Sequence, residues 1–157
     1  MTAAPASPFM DSSELPLRGI KVLELSHMIM GPAAGLALAD LGAEVIKVEP
    51  IDGDRTRRLK GSGSGYFPVF NRNKQSLSID LKSTEGQALA RQLALQADMV
   101  VENFRDGSLA QYGLDYESLS AENPGLIYVS LKGFLSGPYK HRTALDEVVQ
   151  MLSLIHI

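Results

Sequence analysis

Two runs decide the fold: Ile20-Lys-Val-Leu-Glu-Leu-Ser-His-Met-Ile-Met-Gly-Pro32 and Leu41-Gly-Ala-Glu-Val-Ile-Lys-Val-Glu-Pro50. Residues 20–25 are branched and apolar enough to read as a strand. Gly31-Pro32 then opens a helix of small residues over 33–41, with proline at an early helical position where its missing N–H costs nothing. Gly42 closes that helix, and residues 44–48 read as a second strand. The links are short, so the unit is strand–helix–strand and its two strands are parallel.

Working outward, the next stretch is polar and dense in glycine: Asp52-Gly-Asp-Arg-Thr-Arg-Arg58, then Gly61-Ser-Gly-Ser-Gly65. Residues 76–81 read as a strand. Ser83-Thr84-Glu85 supplies helix-start chemistry for 84–97, where Leu89, Leu93 and Ala97 recur at helical spacing. Residues 99–101 form a strand too apolar for a solvent edge. Short helices are expected over 107–112 and 116–122, punctuated by Gly113 and stopped by Asn123-Pro124-Gly125. Residues 126–131 read as a further strand, and a core helix is expected from about Ala144. Strands alternating with helices imply an α/β fold, a Rossmann-like doubly wound, mostly parallel sheet. Ligands are then expected beyond the carboxyl ends of the strands.

The chain of 157 residues carries 15 Lys+Arg against 18 Asp+Glu and no Cys. The missing cysteine excludes disulfides, thiolate zinc sites and a cysteine nucleophile. A net charge of −3 argues against nucleic acid as a partner held on a broad basic face. No membrane segment is expected, because the longest mostly apolar stretch, 33–41, is short and carries Asp40. Residues 1–14 read as a disordered leader. The absence of Arg or Lys before Arg18 fits neither a secretory nor a transit signal, so the expected location is cytoplasmic. Residues 15–151 read as one domain. The last six residues, Leu152-Ser-Leu-Ile-His-Ile157, match one reading frame of a transposase adapter used in sequencing libraries. They are expected to be foreign, the native sequence ending at or near Met151 where the gene is cut; the alternative is a genuine apolar helix end.

Two loops at strand ends are candidates for binding. Ser26-His27-Met28-Ile29-Met30-Gly31-Pro32 reads either as a ligand-approach loop or as a plain turn with a satisfied histidine. In Glu102-Asn103-Phe104-Arg105-Asp106-Gly107, Arg105 can meet phosphate with its planar fork and Phe104 offers a face for an adenine. The bland alternative is a capping segment with an exposed arginine. Lys132-Gly133-Phe134 and Gly137-Pro-Tyr-Lys-His-Arg142 read as solvated loop surface. The acids and arginines of 52–58 read as surface ion pairs on a mobile loop. His27, His141 and His156 lack metal-ligand spacing.

Pro16-Leu-Arg-Gly-Ile-Lys-Val-Leu-Glu-Leu25, Gly31-Pro32, Leu41-Gly-Ala-Glu-Val-Ile-Lys-Val-Glu-Pro50 and Gly53-Asp54 resemble the opening of family III CoA-transferases. So do Phe70-Asn-Arg-Asn-Lys-Gln-Ser76, Asp80-Leu-Lys82, Ala97-Asp98, Val101-Glu-Asn-Phe104, Asn123-Pro124 and Ser130-Leu-Lys-Gly-Phe134. The group includes formyl-CoA:oxalate transferase, carnitine CoA-transferase and the 2-methylacyl-CoA racemases. The resemblance runs in order from about Leu15 to Met151. It implies a CoA thioester as substrate, with no tightly bound cofactor and no metal. By position, the CoA contacts it implies are His27, Ile29 and Met30; Ile79, Asp80, Leu81 and Lys82; Asn103, Phe104 and Arg105; and Thr143, Ala144, Leu145 and Asp146. Gln111 stands where relatives often carry a base, and Glu49-Pro50 where formyl-CoA transferase has an arginine.

The resemblance also implies the reaction. An aspartate attacks the acyl-CoA carbonyl, a mixed anhydride forms, and CoA returns on a carboxylic acid acceptor. That aspartate falls downstream of Gln150, so no catalytic residue is assigned within this chain, Asp146 included, and the chain by itself is expected to be inactive. The racemases use an Asp–His pair whose histidine aligns with Leu145, which cannot exchange a proton. His141 is the candidate if the alignment slips. The resemblance further implies an interlocked homodimer. A rival reading is a non-catalytic CoA- or nucleotide-binding module.

Overall fold

The computed structural model describes residues 15–134, 136–142, 144 and 150. Among the described residues five strands form: β1 (Lys21–Leu25), β2 (Glu44–Glu49), β3 (Gln75–Ser78), β4 (Met99–Glu102) and β5 (Ile127–Ser130). They pair in the order β3-β2-β1-β4-β5, every neighbour parallel. Among the described residues these are accompanied by the helices α1 (Met30–Asp40), α2 (Tyr66–Phe70), α3 (Thr84–Leu95) and α4 (Tyr116–Ser120). The α/β Rossmann-like class expected from the sequence is the class observed. The order runs outward in both directions from β1, so the switch point lies between the carboxyl ends of β1 and β4.

Period-two alternation assigns the faces. On one side Leu23, Leu25, Val48 and Val100 pack with Ala90 and Ala94 of α3 and with Leu109, Leu114, Leu119 and Leu126. On the other, Val22, Val45 and Val101 pack with Ala39 of α1 and Ala43. Ala90 and Ala94 have no exposed surface, which lets α3 lie close to the strands. Each fully buried Leu or Val contributes about 1.5–3 kcal/mol relative to exposure. Along β1 and β2 the α1 face is apolar only in the amino half, at Val22 and Val45. Further along, the same alternation places Glu24, Lys47 and Glu49 inward, at 0%, 1% and 2% exposure.

Several boundaries differ from expectation. Helix α1 starts at Met30 rather than Ala33, because the Ala33 N–H already reaches the Ile29 carbonyl at 2.7 Å. Strand β3 ends before Ile79, where Asp80 Oδ1 accepts the Lys82 N–H at 2.9 Å and turns the chain. The Ser83 hydroxyl then caps α3 by accepting the Gly86 N–H at 3.0 Å. The expected helix over 107–112 is a turn followed by a single 3-10 turn, Ala110–Tyr112. The polar stretch after β2 folds into two 3-10 turns, Arg55–Arg58 and Gly61–Gly65, running into α2. The leader, the helix expected beyond Ala144 and the segment 152–157 lie outside the described residues. Among those described, no helix is long and apolar enough to cross a membrane.

Candidate functional site

Residues after β1 and β4 are joined across the switch point by one side chain. Asn103 Oδ1 accepts the His27 backbone N–H at 2.9 Å, and Asn103 Nδ2 donates to the His27 carbonyl at 2.8 Å. This amide clamp leaves the imidazole free of its backbone. The ring lies on Phe104, with centroids 5.3 Å apart and planes 21° from parallel. Phe104 itself packs against the apolar core, so it props His27 from below. Met28 takes a left-handed φ of 64°, costly for a residue with a Cβ, and swings the chain into α1. Gly31 allows the close approach this requires: a Cβ there would fall 2.4 Å from Ser26 Cβ and 3.0 Å from Asn103 Cγ.

Beneath the β1 loop lies a buried ionic network. Glu24 Oε1 accepts from Lys47 Nζ at 3.1 Å and from the Ser26 hydroxyl at 2.6 Å, while Glu24 Oε2 accepts from Lys74 Nζ at 2.6 Å. Lys47 also reaches Asp54 Oδ2 at 3.2 Å and donates to the Ser26 carbonyl at 2.8 Å. Lys74 donates to the Pro32 carbonyl at 2.7 Å, inside the first turn of α1. The network therefore holds both sides of the His27 loop.

The acids and arginines of 52–58 do not pair with one another on a mobile surface, as the sequence led us to expect. Asp54 is 4% exposed, bound to Lys47, and caps the turn by accepting from the Thr56 N–H and hydroxyl, each at 2.8 Å. Arg57 grips Glu49 with two bonds of 2.7 Å and lies 3.7 Å over the Phe67 ring. Burial alone would raise the Glu49 carboxyl, but Arg57, the Asp54 N–H and the Ser76 hydroxyl outweigh it and hold it at about 2. With every carboxylate oxygen so engaged, Glu49 is a structural anchor of this turn.

Arg55 projects from the anchored turn and has no partner among the described residues. It contributes to holding the His27 imidazole below its ordinary value of 6.5: burial is the largest cause, opposed by Asp54 and reinforced by Lys47 and Arg55. Arg55 is exposed, as the loop-surface reading of 52–58 expects. The unfolded chain takes up the His27 proton more readily, so this group contributes nothing above about pH 7. It weakens the fold as pH falls below 6.5. In an NMR titration we expect a His27 midpoint below 6.5, moving upward in Arg55→Ala. A midpoint unmoved by that substitution would place Arg55 away from the ring.

The remaining candidates are spread along the carboxyl edge. Met30 is exposed and Ile29 half-buried at the start of α1. Ile79 is 4% exposed and Leu81 packs on the core, whereas Asp80 and Lys82 face solvent. This turn follows β3, two strands from β1, and the structure does not bring it against His27. Arg105 is exposed, with no partner among the described residues. Ala144 is described only as a half-buried isolated position, and Thr143, Leu145 and Asp146 lie outside the described residues. Of the expected solvated cations, Lys132 is half-buried, and its ammonium binds Glu102 Oε1 at 2.7 Å. His141 Nδ1 meets Asp106 Oδ2 at 2.9 Å on the surface. A cleft of about 190 Å³ lies at the opposite, amino edge of the sheet, lined by residues such as Lys21, Glu44 and Ala97. It is remote from these groups and carries no comparable chemistry.

A five-stranded, all-parallel sheet with helices, its β1 and β4 loops clamped together at the switch point, defines a Rossmann-like α/β fold. The chain belongs to the CoA-transferase family III, whose family model matches residues 17–156. It is 46% identical over 156 residues to a succinate–glutarate CoA-transferase of Agrobacterium fabrum, covering 92% of this chain and 39% of that protein. It is 47% identical over 140 residues to a succinyl-CoA–D-citramalate CoA-transferase of Chloroflexus aurantiacus, covering 85% and 35%. The crystal structure of a CAIB/BAIF family protein from Brucella suis matches with a TM-score of 0.81 at 46% identity, over 87% of this chain and 39% of that one. The chain thus spans about two fifths of the length of the relatives it matches.

Proposed function

We propose that this chain is the CoA-binding part of an enzyme that moves CoA between carboxylic acids, with the acyl-CoA thioester lying along the carboxyl edge at the β1/β4 switch point. The observation that carries the reading is the His27–Asn103–Phe104 junction beside Arg105, in a chain of this family. Arg105 supplies a charged fork for phosphate, and the edge of the neutral His27 ring supplies a nearby polar and aromatic contact. Ile29, Met30 and the turn 79–82 extend the surface, and Thr143 to Asp146 are assigned to the same contact set by the family resemblance. The attacking aspartate is assigned to sequence downstream of Gln150. It takes the acyl group from the CoA sulfur as a mixed anhydride. The CoA thiolate released then attacks the aspartyl carbonyl, giving an enzyme-bound thioester and freeing the donor acid. The acceptor carboxylate attacks that thioester to form a second anhydride, and the CoA thiolate expelled takes the acceptor acyl group as the new thioester, freeing the aspartate.

The names of the matched relatives point to short dicarboxylic acids, of the succinate and glutarate type, as acyl donor and acceptor. The working form is proposed to be an interlocked homodimer in the cytoplasm. It carries no tightly bound cofactor, CoA itself being substrate.

The test uses the full-length gene product. It should transfer CoA from succinyl-CoA to a second dicarboxylate and bind CoA calorimetrically. Arg105→Ala should weaken CoA by about 1.5–3 kcal/mol, the loss of a charged hydrogen bond, or roughly 10- to 150-fold. Unchanged affinity would remove Arg105 from the site. Absence of any CoA transfer among dicarboxylates would overturn the substrate assignment.

A further inference from the structure

The end of β4 reaches three ways through three consecutive residues. Asn103 holds the His27 backbone, and Phe104 carries the His27 ring. Glu102, 3% exposed, turns to the opposite face. Its Oε1 accepts from the Ser130 hydroxyl and from Lys132 at 2.7 Å; its Oε2 accepts from Lys132 and from the Phe104 backbone N–H, at 2.9 and 2.8 Å. The Lys132 ammonium also donates to the Phe104 carbonyl. Both polar groups flanking Phe104 are therefore held by one ion pair, formed between the end of β4 and the residues just after β5.

As a contribution to stability alone, such a pair is weakly motivated, since an apolar pair of similar volume serves a sheet edge equally well. An apolar pair cannot grip a peptide group on both sides. Phe104 is the residue whose placement fixes the His27 ring, and Arg105 follows it directly. We propose that Lys132, working with Glu102, is a positioning residue of the CoA-binding edge: it fixes the Phe104 backbone, and through it the His27 ring and the departure of Arg105. The link to CoA rests on the function proposed above; the link to the His27 ring does not.

Three variants of the full-length gene product separate positioning from simple bracing. Lys132→Met leaves the Glu102 charge buried and should lower the melting temperature. Adding Glu102→Gln removes that charge while its carbonyl oxygen can still accept from the Phe104 N–H and its amide N–H can donate to the Ser130 hydroxyl oxygen, so the melting temperature should return close to the original. Lys132→Arg should keep the grip. The readout is the pair of His27 ring-proton signals, displaced by the Phe104 ring and assigned by their loss in His27→Gln. In the double variant they should move toward those of a free histidine, and CoA should bind about 5- to 10-fold more weakly. In Lys132→Arg both should stay near the original. His27 signals unchanged in a well-folded double variant would overturn the proposal. His27 signals that move while CoA affinity holds would confine it to the ring and remove CoA from it. A parent protein that does not bind CoA at all would instead count against the function proposed above, and the His27 signals would still decide the positioning.

Discussion

Lys47→Met is expected to lower stability by about 3–5 kcal/mol, the loss seen when one partner of a buried ion pair is removed. Lys47 is 1% exposed and lies between two acids, Glu24 at 3.1 Å and Asp54 at 3.2 Å. Methionine fills the space of the stem but leaves Lys74 as the single cation among these three groups. One negative charge is then buried without a counter-ion, and the Ser26 carbonyl loses a donor. For a domain of this size each kcal/mol lowers the melting temperature by about 2–4 °C, so the shift should be on the order of 10 °C. The loss should depend little on salt, because buried pairs are poorly screened. Arg72→Ala makes the natural control. It breaks a pair with Asp40 at 2.7 Å whose side chains are 53% and 37% exposed, and such pairs contribute about 0–1 kcal/mol. Thermal melts of the full-length gene product, parent and variants side by side, decide the matter. A Lys47→Met shift no larger than that of Arg72→Ala would mean that water reaches the network.

Much of the sheet is legible because parallel, two-sided strands are written as branched apolar runs. Val22, Leu23 and Leu25 announce β1, and Val100 and Val101 announce β4. The ionic layer was less visible, although a signal existed. Lys47 and Glu49 sit inside a strand flanked by apolar neighbours, at positions sharing the inward parity of Val45, and inward charges imply partners. Their partners Asp54 and Arg57, and Lys74, which shares Glu24 with Lys47, lie in a stretch whose glycines and charges read locally as loop. What orders that stretch is contact with residues up to 50 positions away, and no periodicity encodes it. The same limit applies to the site. Both strand-end loops could be marked in the sequence, but nothing local states that β4 lies beside β1. Asn103 therefore looked like a ligand contact among others, whereas its amide is committed to His27, 76 residues earlier. Lys132 read as solvated because Glu102, its partner, belongs to another strand.

Gly35→Ala is expected to be the second most damaging of these changes, although on helix propensity it should help. Alanine in the middle of an exposed helix gains about 1 kcal/mol over glycine. Gly35 is buried on the inner face of α1, and a Cβ there would sit 1.8 Å from Glu24 Oε2 and 3.1 Å from Lys74 Nζ. The carboxylate cannot swing away cheaply, because Lys47, Lys74 and Ser26 all hold it. Either the helix lifts from the sheet or the network opens, and both outweigh the propensity gain. Overpacking by itself costs about 1–3 kcal/mol, and loosening the buried carboxylate adds to it, for an expected net loss of about 2–4 kcal/mol. The cause can be isolated by a cycle with Glu24→Ala, a change that is costly but empties the space in question. In that background the added methyl meets no carboxylate, and Gly35→Ala should become neutral or slightly stabilising. The two losses would then be strongly non-additive, as expected for groups in direct contact. Simple additivity in the melts would mean that the glycine serves the helix backbone alone and that α1 does not rest on Glu24.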